Sequence, residues 1–208
     1  MRYRIIPVTD LEQNCSLIWC ESTMRGALID PGGDAELLFI AARDEGVTLE
    51  KVLLTHGHLD HVGAAGEIAA QLGIPVEGPH RADAFWLEAL PTQAGWLGMA
   101  HTEPLAPQRW LDQGDTVTVG NLLLEVLHCP GHTPGHVVFY QREAKVAFVG
   151  DVLFRGSIGR TDLPQGNHAD LLRAIRERLL PLGDEVEFVP GHGPMSTLGH
   201  ERRTNPYL

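Results

Sequence analysis

The chain has 208 residues, 43% of them apolar and 21% charged, enough for one domain, or two small ones, to bury a core without disulfides or structural metal. Sixteen basic against 27 acidic residues give a formal charge of -11, which argues against a nucleic-acid or anionic-membrane partner. No run approaches the ~20 apolar residues of a membrane span.

In chain order, Tyr3–Val8 and Asn14–Cys20 read as strands joined by a turn, and Gly26–Asp30 as a third strand stopped by Asp30-Pro31-Gly32-Gly33. Asp34–Glu45 reads as a helix, with Asp34 as its cap and Gly46 as its end. Lys51–Thr55 is a short apolar strand running into His56–His61, and a small-residue helix, Val62–Leu72, follows. Residues 77–112, rich in Pro, Gly, Trp and His, offer one helix around Ala82–Leu90. Thr116–Val119, Leu122–Leu127, His136–Gln141 and Lys145–Gly150 form a strand run. Ala169–Leu180 is an amphipathic helix, and Glu185–Pro190 is a last strand. Two β-rich halves, each with helices, predict an α/β (α+β) architecture. It is an αββα sandwich of two mixed sheets packed face to face, in a single domain spanning 1–208.

The N-terminus MRYRIIPVTD is too short and polar for a signal peptide. Cys15, Cys20 and Cys129, an odd and low count, fit a reducing compartment. A cytoplasmic protein is therefore expected, without nucleic-acid or membrane partner, and with no oligomer interface in evidence, so a monomer.

The 11 histidines are unevenly spread. Residues 56–61 read HGHLDH, four potential metal ligands in six residues directly after a buried strand. Chance would give this pattern in roughly one in a thousand chains of this length. An extended strand end lets His56 and His58 point the same way, while Asp60 and His61 begin the next helix and face a second point. Imidazole and carboxylate suit borderline divalent ions such as zinc or iron. Further candidates follow other strands: His132 in CPGHTPGH, Asp151 after Val149-Gly150, and His192 in PGHG. Singly, each reads as a turn residue; together they complete a set.

That set, His56-x-His58-x-Asp60-His61 followed by His132, Asp151 and His192, resembles the full ligand set of the metallo-β-lactamase superfamily, in order and spacing over nearly the whole chain. Thr55–Gly63, Pro130–His136, Gly150–Phe154, Gly156–Gly166 and Pro190–Gly193 look specifically like the glyoxalase II (hydroxyacylglutathione hydrolase) branch. NCSLIWC, HCPGHTPGHVVF and the PGHGP-STLG end are similar to its short, single-domain YcbL-type subgroup. The resemblance implies two divalent ions, zinc foremost with iron or manganese open. His56, His58 and His132 would hold the first, Asp60, His61 and His192 the second, and Asp151 and a water or hydroxide would bridge them. Five neutral imidazoles, two carboxylates and a hydroxide nearly balance two divalent ions, so such a site can be buried cheaply.

The implied activity is hydrolysis of S-D-lactoylglutathione, or a related small-molecule acyl thioester, to D-lactate and glutathione, as in methylglyoxal detoxification. Catalysis would centre on Asp60, His58 and Asp151, with Asp60 accepting a proton from the attacking water. Arg160 stands where the family has a basic substrate-binding residue; it either clamps a carboxylate or pairs with Asp162. Only 16 residues follow His192, so the C-terminal helical domain that grips glutathione in larger members is expected to be missing, and Gly193-Pro194 replaces a family tyrosine. GRTDLPQG and PGHTPG also resemble persulfide dioxygenases, which use a single iron, and a non-catalytic metal-binding module is the remaining alternative. Asp30 is expected to orient a ligand imidazole. His128 and Cys129 are read as packing groups or as groups supporting the ligands from behind, and His136 as buried and hydrogen-bonded. His80, His101, His168 and His200 read as surface residues. Trp86, Trp96 and Trp110 either line a groove or pack a lid, with packing preferred.

Overall fold

The structure, a computed structural model, describes residues 1–208. The first sheet is built, in spatial order, from β1 (Arg2–Val8), β2 (Gln13–Trp19), β3 (Arg25–Ile29), β4 (Thr48–Leu53) and β5 (Val76–Glu77). The first three strands are antiparallel neighbours, and β3, β4 and β5 run parallel. Parallel neighbours need crossovers. α1 (Ala35–Asp44) supplies the first; α2 (Leu59–Val62) and α3 (Ala65–Leu72) supply the second. α4 (Ala84–Glu88) and α5 (Leu90–Leu97) follow.

The second sheet is made of β6 (Thr116–Val119), β7 (Leu122–His128), β8 (Val137–Gln141) and β9 (Val146–Gly150). A hairpin, β10 (Leu153–Phe154) and β11 (Ser157–Ile158), and helix α6 (His168–Ala174) precede β12 (Glu187–Pro190) and β13 (Ser196–Thr197), and α7 (Leu198–Thr204) closes the chain. The spatial order is β13-β12-β9-β8-β7-β6, with β12 parallel to β9.

Period-two alternation sends side chains to two different cores. Ile18, Ala27, Ile29 and Leu53 of the first sheet meet Val137, Phe139, Phe148 and Val189 of the second between the sheets. Their neighbours Leu17, Leu28 and Val52 face outward onto Leu38, Ala41 and Ile68 of the first sheet's helices. On the far side, Val138, Ala147 and Phe188 pack on Leu171, Ile175 and Leu179. The layers are therefore helix, sheet, sheet, helix, as the element order predicts.

Several boundaries differ from expectation. Asp34 does not cap α1: it takes a left-handed φ of 51° and its carboxylate accepts from Thr9 N at 2.7 Å. The helix expected over Val62–Leu72 is two helices, because Ala64 N donates to Pro31 O at 2.9 Å and draws the chain onto the 31–33 turn. That turn lies directly under α2: a Cβ on Gly32 would sit 1.5 Å from Asp60 O, so only glycine permits the approach. The helix expected at Ala169–Leu180 is α-helical through Ala174 and passes into a π turn over Ile175–Leu179.

The strand ends that matter gather at one edge of the sandwich, after β4, β7, β9 and β12. There the sheets are tied to each other through Asn14 N to Gly191 O at 2.7 Å and Val137 N to Thr55 O at 2.8 Å.

Candidate metal centre

The loops at this edge bring together all seven expected ligands, which lie up to 136 positions apart in the chain. Nε2 of His56 lies 3.1 Å from Nδ1 of His58, which lies 3.0 Å from Nε2 of His132. Nε2 of His192 lies 3.0 Å from Oδ2 of Asp60, with Nε2 of His61 3.6 Å from the same oxygen. These form two groups of three, each with its donor atoms within 4.8 Å of one another. Asp151 stands between the groups: Oδ1 is 3.4 Å from His61 Nε2 and Oδ2 is 3.6 Å from His132 Nε2.

Hydrogen bonds on the far side of each ring fix which nitrogen faces inward. His132 Nδ1 donates to Arg160 O at 2.8 Å and His192 Nδ1 to Leu11 O at 3.2 Å. His56 Nδ1 donates to Thr55 Oγ1 at 3.0 Å, whose own hydroxyl donates to Asp30. His61 Nδ1 donates to Asp30 Oδ2 at 2.9 Å. Asp30 therefore orients His61, as expected. His58 alone turns Nδ1 inward; its Nε2 has no hydrogen-bond partner, and its ring meets Trp86 almost perpendicularly at 4.6 Å.

Burial lowers the histidines of both groups, but the charges around them differ. It pushes His58 down to about 3, with help from His132, and drives His56 well below its usual value, so the first group is three neutral imidazoles. In the second, burial would lower His61, but Asp151 and Asp60 raise it well above the usual range. Asp60 stays below the ordinary carboxylate value because His61 and His192 outweigh its burial. Protons on His61 and His192 are the only cations this acidic pair can draw on by itself. His61 Nε2 and Asp151 Oδ1 are buried without a hydrogen-bond partner. Lone pairs converging from five rings and two carboxylates are what a pair of cations satisfies. The histidine and aspartate cluster thus fits a dinuclear metal site.

His136 is buried outside this set, as expected. Its Nε2 accepts from Asp151 N at 3.0 Å and its ring stacks on His56 at 4.6 Å. His101, His168 and His200 are exposed; His80 is half-buried and stacks on His128 at 4.2 Å.

Two residues of the segment that resisted reading brace the cluster. Asp83, fully buried, accepts from Gly57 N at 2.9 Å, Thr133 Oγ1 at 2.7 Å and Gly135 N at 2.5 Å. It joins the loop bearing His56 and His58 to the loop bearing His132. Gln93 accepts from Leu59 N at 2.9 Å and donates to Trp86 O at 2.8 Å. No local pattern marks either residue in the sequence.

A cavity of about 300 Å3 opens onto the cluster. His58, Asp60, His132 and Asp151 form its floor, and Leu11, Trp86, Trp96, Leu97, Leu163, Gln93 and Arg160 its walls. The tryptophans split. Trp110 packs on the outer core and Trp86 is buried, as the packing reading expects, yet Trp86 also lines the cavity. Trp96 is 68% exposed at the cavity wall. Arg160 satisfies both readings at once, lining the cavity while paired with Asp162.

The family model of the metallo-beta-lactamase superfamily matches residues 8–192, a span that includes all seven converging side chains. The chain belongs to that superfamily. A hydroxyacylglutathione hydrolase, GloC of Haemophilus influenzae, is 47% identical over 100% of this chain and 98% of its own length. The crystal structure of the BLEG-1 B3 metallo-beta-lactamase superposes with a TM-score of 0.91 at 36% identity, covering 99% of each chain. TTHA1623 in a di-iron-bound form superposes with a TM-score of 0.90 at 40% identity, covering 99% of this chain and 100% of that one. Within the superfamily, then, the chain is similar over its whole length to a hydroxyacylglutathione hydrolase. No helix is long and apolar enough to cross a membrane.

Proposed function

We propose that the chain is a metal-dependent thioester hydrolase of the glyoxalase II type, converting S-D-lactoylglutathione or a related acyl thioester to the free acid and thiol. One observation carries this: two three-residue donor groups with Asp151 between them on the floor of a cavity. His56, His58 and His132 would hold one ion, Asp60, His61 and His192 the other, and Asp151 both. Zinc is proposed, since imidazole and carboxylate donors suit it; iron and manganese are accepted by the same donors. Such a pair, when bound, supplies a water of near-neutral pKa and a Lewis acid for the carbonyl oxygen.

The chain's own residues do the rest. Asp60 is held below the usual carboxylate range and stays ionised at neutral pH, so it can accept a proton from water poised at the floor. Its Oδ2 is engaged by His192, which fixes the orientation of the carboxylate. Trp86 and Leu163 keep bulk water from the reacting carbon. A thiolate leaves without a strong general acid, and the cavity needs none. The protein is proposed to act as a cytoplasmic, single-domain monomer on a small-molecule substrate. The hydrolase name of GloC supports this reading.

A second reading, a glutathione persulfide dioxygenase using a single iron, is favoured by the GRTDLPQG and PGHTPG stretches. One set of measurements separates the readings: metal content per chain, turnover of S-lactoylglutathione, oxygen uptake with glutathione persulfide, and a β-lactam control, which the BLEG-1 likeness requires. Two ions per chain and thioester hydrolysis without oxygen demand, both lost in His58→Ala, are expected. Protein that takes up no divalent metal, or hydrolyses thioesters no faster than His58→Ala, would overturn the proposal.

A further inference from the structure

Arg160 is the one cation among the residues lining the cavity, and it does not face the cavity as a free charge. Its Nε and Nη2 each lie 2.8 Å from an oxygen of Asp162. Both partners are open to solvent, with side chains 62% and 67% exposed. An exposed pair of this kind contributes little to folding, so the fold does not require Asp162 there. The backbone of Arg160 is fixed, because its carbonyl holds His132 Nδ1. The guanidinium is thus stationed beside the floor with its charge already matched. The same cavity is also lined by open apolar side chains: Leu11 is 44%, Trp96 68% and Leu97 49% exposed.

Resting on the thioesterase reading above, we infer that Asp162 determines which thioesters the site accepts. Its pairing with Arg160 turns the cavity mouth against thiol halves bearing a carboxylate and toward uncharged, apolar ones. In hydrolysis the water oxygen bonds to the acyl carbon, and the C–S bond breaks. The sulfur leaves with the electron pair and takes up a proton, giving acid and thiol. The acyl carbon must therefore reach the floor, and the thiol half extends along the mouth. There it meets Trp96, Leu97 and a neutralised Arg160, all of which line the cavity. A carboxylate arriving at Arg160 meets a guanidinium whose Nε and Nη2 Asp162 already holds, so repulsion from Asp162 offsets much of its attraction to the cation. Removing the aspartate charge leaves the cation unmatched. At ~5 Å in a water-like dielectric that is worth about a four-fold preference for a bound anion, less at high salt.

The test compares wild type, Asp162→Asn, Arg160→Gln with Asp162→Asn, and Trp96→Ala, at matched metal content. The substrates are S-lactoyl thioesters of glutathione, of N-acetylcysteamine and of benzyl mercaptan. Wild type is expected to show a higher kcat/KM for the benzyl than for the glutathione thioester. Asp162→Asn should raise kcat/KM for the glutathione thioester about four-fold at low salt, leaving the N-acetylcysteamine thioester unchanged. The double variant should lose that gain, and Trp96→Ala should lower kcat/KM for the benzyl thioester selectively. Good hydrolysis with the same glutathione-to-N-acetylcysteamine ratio in wild type and Asp162→Asn would overturn the inference and leave the thioesterase reading standing. Metal-loaded protein that hydrolyses none of the three would overturn that reading, and the inference with it.

Discussion

Replacing Asp83 separates the hydrogen-bonding role of this buried carboxylate from the cost of its charge. Its three donors, Gly57 N, Thr133 Oγ1 and Gly135 N, are all buried. Asp83→Ala leaves them unmatched, at roughly 1–3 kcal/mol each, or about 6 kcal/mol in all. Against this, burial pushes Asp83 up to about 6 from 3.8, opposed by the same three donors. At pH 8 the folded protein therefore carries a charge cost of about 3 kcal/mol, which either substitution removes. Asp83→Ala should then destabilise by about 3 kcal/mol at pH 8. Asp83→Asn keeps an acceptor for Gly135 N and a partner for the Thr133 hydroxyl. It strands only Gly57 N, so its net change should be within about 1 kcal/mol. The raised value also sets the sign with pH: Asp83's contribution is complete below ~4 and is lost as pH rises through ~6. Asp83→Ala should accordingly cost more at pH 5 than at pH 8. Urea unfolding of chelator-treated protein at the two pH values measures all of this. Equal losses for Ala and Asn, or an Ala loss under ~1 kcal/mol at pH 8, would refute the reasoning.

The other predictions concern the same scaffold. Asp30→Ala frees His61 Nδ1 and strands Thr55 N and Oγ1; metal affinity should fall about 10–100-fold by chelator competition, and an unchanged affinity would remove Asp30 from the orienting role. Gly32→Ala places a methyl 1.5 Å from Asp60 O, so α2 must shift; a loss of at least ~2 kcal/mol in urea unfolding is expected, and unchanged stability would mean the close approach is not needed. In chelator-treated protein, His61 is raised by Asp151 and Asp60 over its own burial, so its stabilisation is complete below ~6.5 and fades as pH rises through the higher folded value. Thermal scans should show wild type losing stability between pH 6 and 9 relative to His61→Ala without metal; parallel curves for the two proteins would count against it.

The legible part of this molecule is the part whose chemistry restricts residue type. Borderline divalent ions accept histidine and carboxylate donors, and loops after strand ends can present them together, so HGHLDH and three later strand ends pick out seven candidate positions. Short continuous apolar runs likewise mark β2, β3, β8 and β9, since each buries both faces. What escaped was whatever depends on backbone groups meeting at a distance. Asp34 has the composition of a cap, but Thr9 N offers its carboxylate a better donor. The 31–33 turn takes Ala64 N away from its helix, and no helical period records that. Residues 77–112 are the extreme case, because Asp83 and Gln93 bind main-chain groups of other loops, and a main-chain donor leaves no mark on sequence.

Those hidden contacts explain how two groups with opposite electrostatic character share one edge. The first group is three neutral imidazoles on two loops, and their converging lone pairs repel one another unless a cation sits between them, so the loops must be pinned from elsewhere. Asp83 pins them from outside the ligand motif, touching neither ring. The second group contains its own carboxylate, so its rings are drawn inward by charge; here the buried anchor, Asp30, touches the ring directly and sets its rotation. Asp151 contacts one ring from each group, and its backbone N–H is itself held by His136. Loosening Asp83 should therefore be felt at His56, His58 and His132, and loosening Asp30 chiefly at His61. If a spectroscopic metal such as Co2+ reported the same site disturbed by both substitutions, this division of labour would be wrong.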